Sequence, residues 1–227
     1  MEAQLNPRRV NFKFGEYISK AINLMQKDFV TFLLSFLCLM LLSLIPFCGM
    51  MAAGNFYKVC YKIDQGVPAQ AGEVFNFDDF MPYFIFQLYV IVGLIIALIP
   101  MGIFMLIFHD NDAAAGTFML VYFFAFYIVL IYLLLQAFYI PALITFKRIT
   151  DIKAAWNISK VMTKGNLWMI FFFSIAVTIL GELGIILCGI GIFLTAPFIY
   201  VSHYEAFKDG LAQVEVATPQ AIESPLG

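Results

Sequence analysis

Long apolar runs separated by short polar stretches organise this chain from end to end. The first patterned segment is 14–27, where Phe14, Ile18, Ile22 and Met25 recur at helical spacing opposite Glu16, Lys20 and Lys27. A helix that is apolar on one face and basic on the other suits a membrane surface. From Phe29 to Tyr57 the chain is almost wholly apolar, interrupted by Pro46 and Gly49. That run is too long for one upright crossing of about 20 residues, yet short for two. Gln65-Gly66-Val67-Pro68 ends the following helix, with Gly66 suited to a left-handed cap. Asp78 or Asp79 is placed to cap the next helix, and Pro82 is tolerated in its first turn.

Two longer apolar segments come next, 82–108 with Pro100 as a kink and 117–146 interrupted by Pro141. As straight helix each would measure roughly 40–45 Å, beyond the ~30 Å hydrocarbon core, so each must tilt, bend or emerge. The His109-Asp110-Asn111-Asp112 stretch between them reads as a solvated turn, because no second ligand cluster accompanies it. Residues 147–166 are again basic and amphipathic and carry Trp156. Two further apolar runs, 167–180 and 184–202, are split by Gly181-Glu182-Leu183. The tail from Leu211 has no periodicity and reads as a flexible extension.

Composition turns this pattern into a class. Hydrophobic residues make up 63% of the chain and charged ones 12%, against about 25% charged in soluble domains. So much apolar surface cannot be hidden in one water-soluble core, whereas lipid solvates it from outside. No small-x-small cleavage site follows the first apolar run, so that run is expected to stay in the mature protein. The four cysteines show neither metal-ligand spacing nor a CxxC pair.

The two ends of the chain resemble each other at a nearly constant offset. Ile18-Ser19-Lys20 matches Ile158-Ser159-Lys160, and Cys48-Gly49 matches Cys188-Gly189. Tyr57 and Tyr61 followed by Gly66 match Tyr200 and Tyr204 followed by Gly210. Each unit reads as interfacial helix, apolar hairpin, Tyr-x3-Tyr helix end and Gly cap, a parallel internal repeat. The second unit is long enough to cross twice, so the first is expected to cross twice as well, turning near Pro46.

The expected fold is therefore an all-α integral membrane protein. It has six transmembrane helices in three hairpins, and each repeat hairpin is preceded by a cytoplasmic amphipathic helix. The divisions are a basic segment with interfacial helix (1–28), the first repeat hairpin (29–66) and a cytoplasmic connection (67–81). The central hairpin (82–146), a second interfacial helix (147–166), the second repeat hairpin (167–210) and a flexible tail (211–227) complete it. Charge supports this count. All 13 Lys and Arg residues then face the cytoplasm, with both termini, and the three outer turns hold none. A five-span alternative would strand part of this set outside.

Candidate chemistry is sparse. Glu182 is the acid of the last hairpin, and an ionisable group inside a membrane is often functional, but here it sits between Gly181 and Gly184 at an outer turn. A simple turn residue is the plainer reading. Gln87 and Gln136 lie inside the central hairpin, where they could hydrogen-bond across helices as glue or line a polar path. Cys48 and Cys188, at matching outer turns, could pair as a disulfide, or Cys-Gly could simply allow close packing. His203 stands at a cytoplasmic helix end, where an interfacial role suffices. No cofactor motif, phosphate-binding loop, HExxH or nucleophile elbow occurs.

The order of basic amphipathic helix, apolar hairpin ending in Tyr and Gly, then Phe75-Asn76-Phe77-Asp78-Asp79-Phe80 carries a resemblance. It is similar to uncharacterised bacterial six-span inner-membrane proteins, including the membrane domain that precedes some glycerophosphodiester phosphodiesterases. The likeness covers most of 12–210 and brings no catalytic residues to transfer. It implies location in the bacterial inner membrane. The expected function is a non-enzymatic accessory or scaffold subunit of a membrane assembly handling protein insertion, export or envelope biogenesis. Its partners would be the lipid bilayer and other membrane proteins, with no nucleic acid. The alternative is a transporter or lipid-handling protein, which a midplane polar cavity lined by Gln87 and Gln136 would favour.

Overall fold

A computed structural model describes residues 5–107, 112–186 and 191–215. The chain is helical throughout them, apart from an extended segment at 5–13 and short connections. Helix α1 (Phe14–Lys27) is followed by α2 (Phe29–Ser43) and α3 (Gly49–Asp64), then a single 3-10 turn at Ala71–Phe75. The segment expected as the central hairpin holds α4 (Phe80–Ile107), α5 (Asp112–Gln136) and the short α6 (Ile140–Lys147). Next come α7 (Ile152–Thr163), α8 (Leu167–Glu182), the brief α9 (Ile192–Thr195) and α10 (Pro197–Val214).

Three of these segments are long and apolar enough to cross a membrane: Phe80–Ile107, Gly116–Lys147 and Leu167–Ile185. A fourth is added if α1 and α2, bent by 100° at Asp28, count as one span. By contrast, α2 and α3 hold 15 and 16 residues, roughly 22–24 Å of helix against a ~30 Å core.

The packed core lies at one end of the molecule. Tyr17, Phe32, Phe56, Tyr83, Tyr139, Tyr204 and Phe207 are fully enclosed there, where α1, α2, α3, α6, α7, α8 and α10 meet. We call this end the base. The central hairpin leaves it almost at once. Tyr83 and Phe86 are the buried residues of α4, and nothing in the most apolar window of either long helix is buried.

Several sequence expectations are refined by this packing. The bounds of α1 coincide with the expected amphipathic segment, but its buried stripe is Tyr17, Ala21 and Leu24. Ile22, assigned to the apolar face, is 46% exposed. The reason is that α1 docks on α10, where the Tyr17 hydroxyl donates to Asp209 at 2.7 Å. The tail does not loosen at Leu211. Helix α10 runs on to Val214 because Leu211 and Val214 are buried and the N-terminal segment pins them. The Asn6 N–H donates to the Val214 carbonyl at 2.9 Å, and Arg8 donates to the Gln213 carbonyl at 2.7 Å.

The two matched glycines also differ. Gly66 has φ +69° and caps α3 in the left-handed conformation that glycine tolerates best. Gly210 is instead buried inside α10, where an added Cβ would run into the Tyr139 ring. It is a packing glycine, not a cap. Ser19 and Ser159, aligned by the repeat, are exposed and fully buried respectively.

Candidate functional site

The central hairpin is positioned by the break that ends α5. Pro141 has no N–H to donate to the Ala137 carbonyl, so the helix cannot run straight through. It turns at 137–139 and resumes as α6. The polar groups exposed by the break find a partner on α7. The Ser159 hydroxyl donates to the Gln136 carbonyl at 2.6 Å and accepts from the Tyr139 N–H at 3.1 Å. Tyr83 ties α4 to the same corner, donating to the Pro141 carbonyl at 3.1 Å and lying 2.6 Å from the Thr145 hydroxyl. Gly54 on α3 leaves room for that tyrosine, since an added Cβ would come within 2.8 Å of its ring carbons.

Beyond this corner α4 and α5 diverge and meet again near their far ends. There Phe104 stacks on Phe118 at 3.6 Å, Phe118 on Tyr122 at 5.6 Å, and the Tyr122 hydroxyl donates to the Ala97 carbonyl. Between corner and clasp lies an apolar cleft of about 480 Å³. Phe86, Leu94 and Ala97 of α4 face Phe126 and Leu130 of α5 and Ala137 of the following turn across it. Its base end is closed by Ile152, Lys153 and Trp156 of α7. The volume falls within the ~300–1,000 Å³ usual for small-molecule sites, yet the walls offer almost nothing polar. Such a cleft can hold a hydrocarbon chain and present one cation and one indole at its mouth. Tyr89 and Lys153 are the ionisable side chains among its lining residues.

Charge on the base is distributed unevenly. The lysines around α1, α3 and α10 are matched: Lys13 with Asp209, Lys20 with Glu16, Lys58 with Asp79, Lys62 with Glu73, and both Lys27 and Lys208 with Asp64, while Arg8 and Arg9 donate to the Gln213 and Gly165 carbonyls. Lys147 pairs with Glu215. Around α7 the picture reverses. Among the described residues no carboxylate lies within ion-pairing distance of Arg148, Lys153, Lys160 or Lys164. The Phe75–Phe80 motif serves this frame. Buried Asn55 donates to the Val74 and Asn76 carbonyls at 3.0 and 2.5 Å, fixing the 3-10 turn against α3.

Protein-family models, curated proteins and solved structures offer no match to this chain.

The residues singled out from sequence do not converge. Gln87 donates to the Phe47 carbonyl at 2.9 Å and to its own helix at Tyr83, so it braces the α2–α3 turn. Gln136 is buried at the α5–α6 break, where its carbonyl meets Ser159. The two side chains are not paired, and neither lines the cleft. Glu182 ends α8 and is exposed. Cys48 is buried just before α3, while Cys188 lies outside the described residues, as do His109 and Asp110. His203 packs among Phe138, Phe173 and Phe207, its Nδ1–H donating to the Ile199 carbonyl at 2.7 Å.

Sequence reasoning missed Lys153 and Ser159 as individuals, and it missed Glu205 altogether. Glu205 is 4% exposed on α10. Burial chiefly pushes its carboxyl above the ordinary range; Lys208 pulls it back and Asp64 adds to the rise. Asp64 goes the other way. Its partial burial alone would raise it, but the hydrogen bond and charge of Lys208, the Tyr204 hydroxyl and Lys27 together hold it below the usual carboxylate value. A Glu following the apolar and aromatic run 197–201 was the one available signal for Glu205.

Proposed function

We propose that this chain is a non-enzymatic integral protein of a bacterial inner membrane, acting as an accessory or scaffold subunit of a larger membrane assembly. In this reading the base lies at the cytoplasmic surface with both termini, and the chain crosses six times in three hairpins. The first and third hairpins are related as a parallel repeat. Helices α2 and α3, being short, cross where the bilayer thins around them. The resemblance to the membrane domain ahead of some glycerophosphodiester phosphodiesterases belongs to the same proposal and carries no catalytic role with it.

One observation carries the reading. Two helices with mean hydropathy of 2.9 and 2.6 in their most apolar windows project from a folded base with none of those windows buried. Lipid can cover such surfaces, and so can the helices of other membrane proteins, for which tight van der Waals fit is the main attraction. The gathering of Lys and Arg on base elements supports the orientation. Transport of a polar solute is the weaker alternative, because the cleft is apolar and excludes Gln87 and Gln136.

Two measurements test this. Cysteine accessibility at the turn near Pro46 should be found from outside the cell; labelling only from within would make the first hairpin re-entrant and sink the six-span count. Photo-crosslinkers at Ile99 and Ile128, on exposed hairpin faces, should capture defined protein partners in intact membranes. Crosslinks to lipid alone, with a monomer recovered in mild detergent, would refute the scaffold role.

A further inference from the structure

The cleft and the unmatched cations around α7 occur together, and they share one explanation. Along α4 the cleft runs from Phe86 to Ala97, and on the other side from Ala137, just past the end of α5, back along α5 to Phe126. Each stretch is about 17 Å of helix, close to half of the ~30 Å hydrocarbon thickness, the depth of one leaflet. At the base end stands Lys153, exposed, its ammonium without an ion pair among the described residues; the neighbouring Asp151 carboxylate accepts from its backbone N–H at 2.9 Å. Trp156 stands beside it, a residue type that favours the level of lipid headgroups. At the far end the Phe104–Phe118–Tyr122 clasp closes the way to the other leaflet.

From this geometry we infer that the cleft is a binding site for one anionic glycerophospholipid, an acyl chain lying between α4 and α5 and the phosphate on Lys153. The occupant is fixed by complementarity at both ends: apolar walls of one-leaflet depth, and a single cation where a headgroup would sit. A detached phosphate would leave the walls empty, and a neutral lipid would leave Lys153 unmatched. A second, mainly apolar groove between α5 and α8, flanked by Phe138, Phe171 and Ile175, has no cation among its described lining residues. It serves as an internal control. The site requires the chain to lie in a membrane but requires no protein partner, so its failure would leave the scaffold reading untouched.

The test uses the full chain in mild detergent, offered equal amounts of phosphatidylglycerol and phosphatidylcholine with matched chains, and read by native mass spectrometry. The wild type should retain phosphatidylglycerol about fivefold over phosphatidylcholine, the contribution of one well-placed Lys. Lys153→Gln should erase that preference while phosphatidylcholine binding persists. Lys160→Gln, on the same helix but away from the cleft, should leave the preference intact. Leu130→Trp, which fills the cleft, should lose both lipids. No preference in the wild type would overturn the proposal. So would an unchanged preference in Lys153→Gln, or an equal loss in Lys160→Gln, which would mean diffuse surface charge. Should Leu130→Trp not fold, phosphatidylglycerol bearing a photoactivatable acyl chain decides on the wild type. Labels concentrated in 86–97 and 126–137 support the site; labels spread equally over the exposed face of α8 overturn it.

Discussion

Replacing Ser159 by Ala removes one oxygen atom from the corner that sets the direction of the central hairpin. The serine is fully buried and holds two backbone groups freed by the α5–α6 break. An unpaired buried donor or acceptor is destabilising by about 1–3 kcal/mol, and here one of each is created. Partial relaxation of the broken turn recovers some of that, leaving an expected loss of about 2–3 kcal/mol. Ser19, aligned with it in the sequence repeat, is exposed, so Ser19→Ala should stay within about 0.5 kcal/mol of the wild type. Reversible denaturation in mild detergent measures both, with fluorescence as the probe. Trp156 stands one helical turn before Ser159 and reports the corner directly. A Ser159→Ala protein as stable as Ser19→Ala would show that the corner is held by packing alone, and the account of how the cleft is positioned would fail.

Other substitutions probe the base. Gly210→Ala drives a methyl group into the Tyr139 ring and should destabilise by about 1–3 kcal/mol, whereas Gly15→Ala, with open space around it, should be neutral or stabilising; melting temperatures in detergent compare them. Glu205 holds its proton more tightly in the fold than its ordinary value of 4.5 allows. The folded state therefore binds more protons above that pH, and stability falls as pH rises from there through the folded pKa. Glu205→Gln should raise the melting temperature at pH 7 and flatten that part of the profile; an unchanged profile counts against the burial argument. For Asp64 the sign is opposite. Its contribution is complete above the ordinary value of 3.8 and is lost as pH falls through the lower folded pKa. Asp64→Asn should lower the melting temperature at pH 7, together with the acid sensitivity of the wild type.

How far the sequence could be read depended on what kind of signal each feature leaves. Helix bounds were legible wherever polar caps or glycine mark an end, as at Lys27 and at Gly66 with its positive φ. Which apolar face meets protein and which meets lipid was not. Both are equally hydrophobic: periodicity in α1 pointed to Phe14, Ile18, Ile22 and Met25, of which Phe14, Ile18 and Met25 pack at the margin of the core and Ile22 is exposed, while Tyr17, Ala21 and Leu24 are fully buried. The cleft was invisible for the same reason: its walls are ordinary apolar residues, and only the divergence of α4 from α5 makes them a site. Gln87 and Gln136 drew attention because polar residues stand out in apolar runs, yet both answer local backbone needs near turns. The extension of α10 past Gly210 escaped notice because its partner is an N-terminal segment some two hundred residues away in the chain, as in the Arg8 to Gln213 bond with a separation of 205.

The two basic helices begin alike in sequence and end in different surroundings. Helix α1 gives its cations to acids: Lys20 to Glu16 on its own surface and Lys27 to Asp64 on α3, with Lys13 just ahead reaching Asp209 on α10. Asp64 and Asp209 are supplied by helices against which α1 is packed, so those two pairings follow from its place inside the base. Helix α7 packs through Ile152, Ala155, Ser159 and Met162 against the α5–α6 corner, whose polar groups are uncharged: the backbone held by Ser159, the Gln136 side chain and the Tyr83–Thr145 hydroxyl pair. Among the described residues no carboxylate pairs with the ammonium groups of Lys153, Lys160 or Lys164, and Asp151, the N-cap of α7, accepts from the Lys153 backbone N–H at 2.9 Å instead. An ammonium group left this way at a membrane surface is attracted by about 1 kcal/mol to anionic lipid. The same packing that points α5 away from α4 thus leaves the positive charge at the mouth of the opening it creates. Moving an acid onto α7 tests the connection: Asn157→Asp, at an exposed position four residues after Lys153, should mask that lysine and lower phosphatidylglycerol preference without altering the melting temperature by more than about 0.5 kcal/mol equivalent. Were lipid preference to survive that change undiminished, the unmatched charge of α7 would have to serve something other than a lipid headgroup.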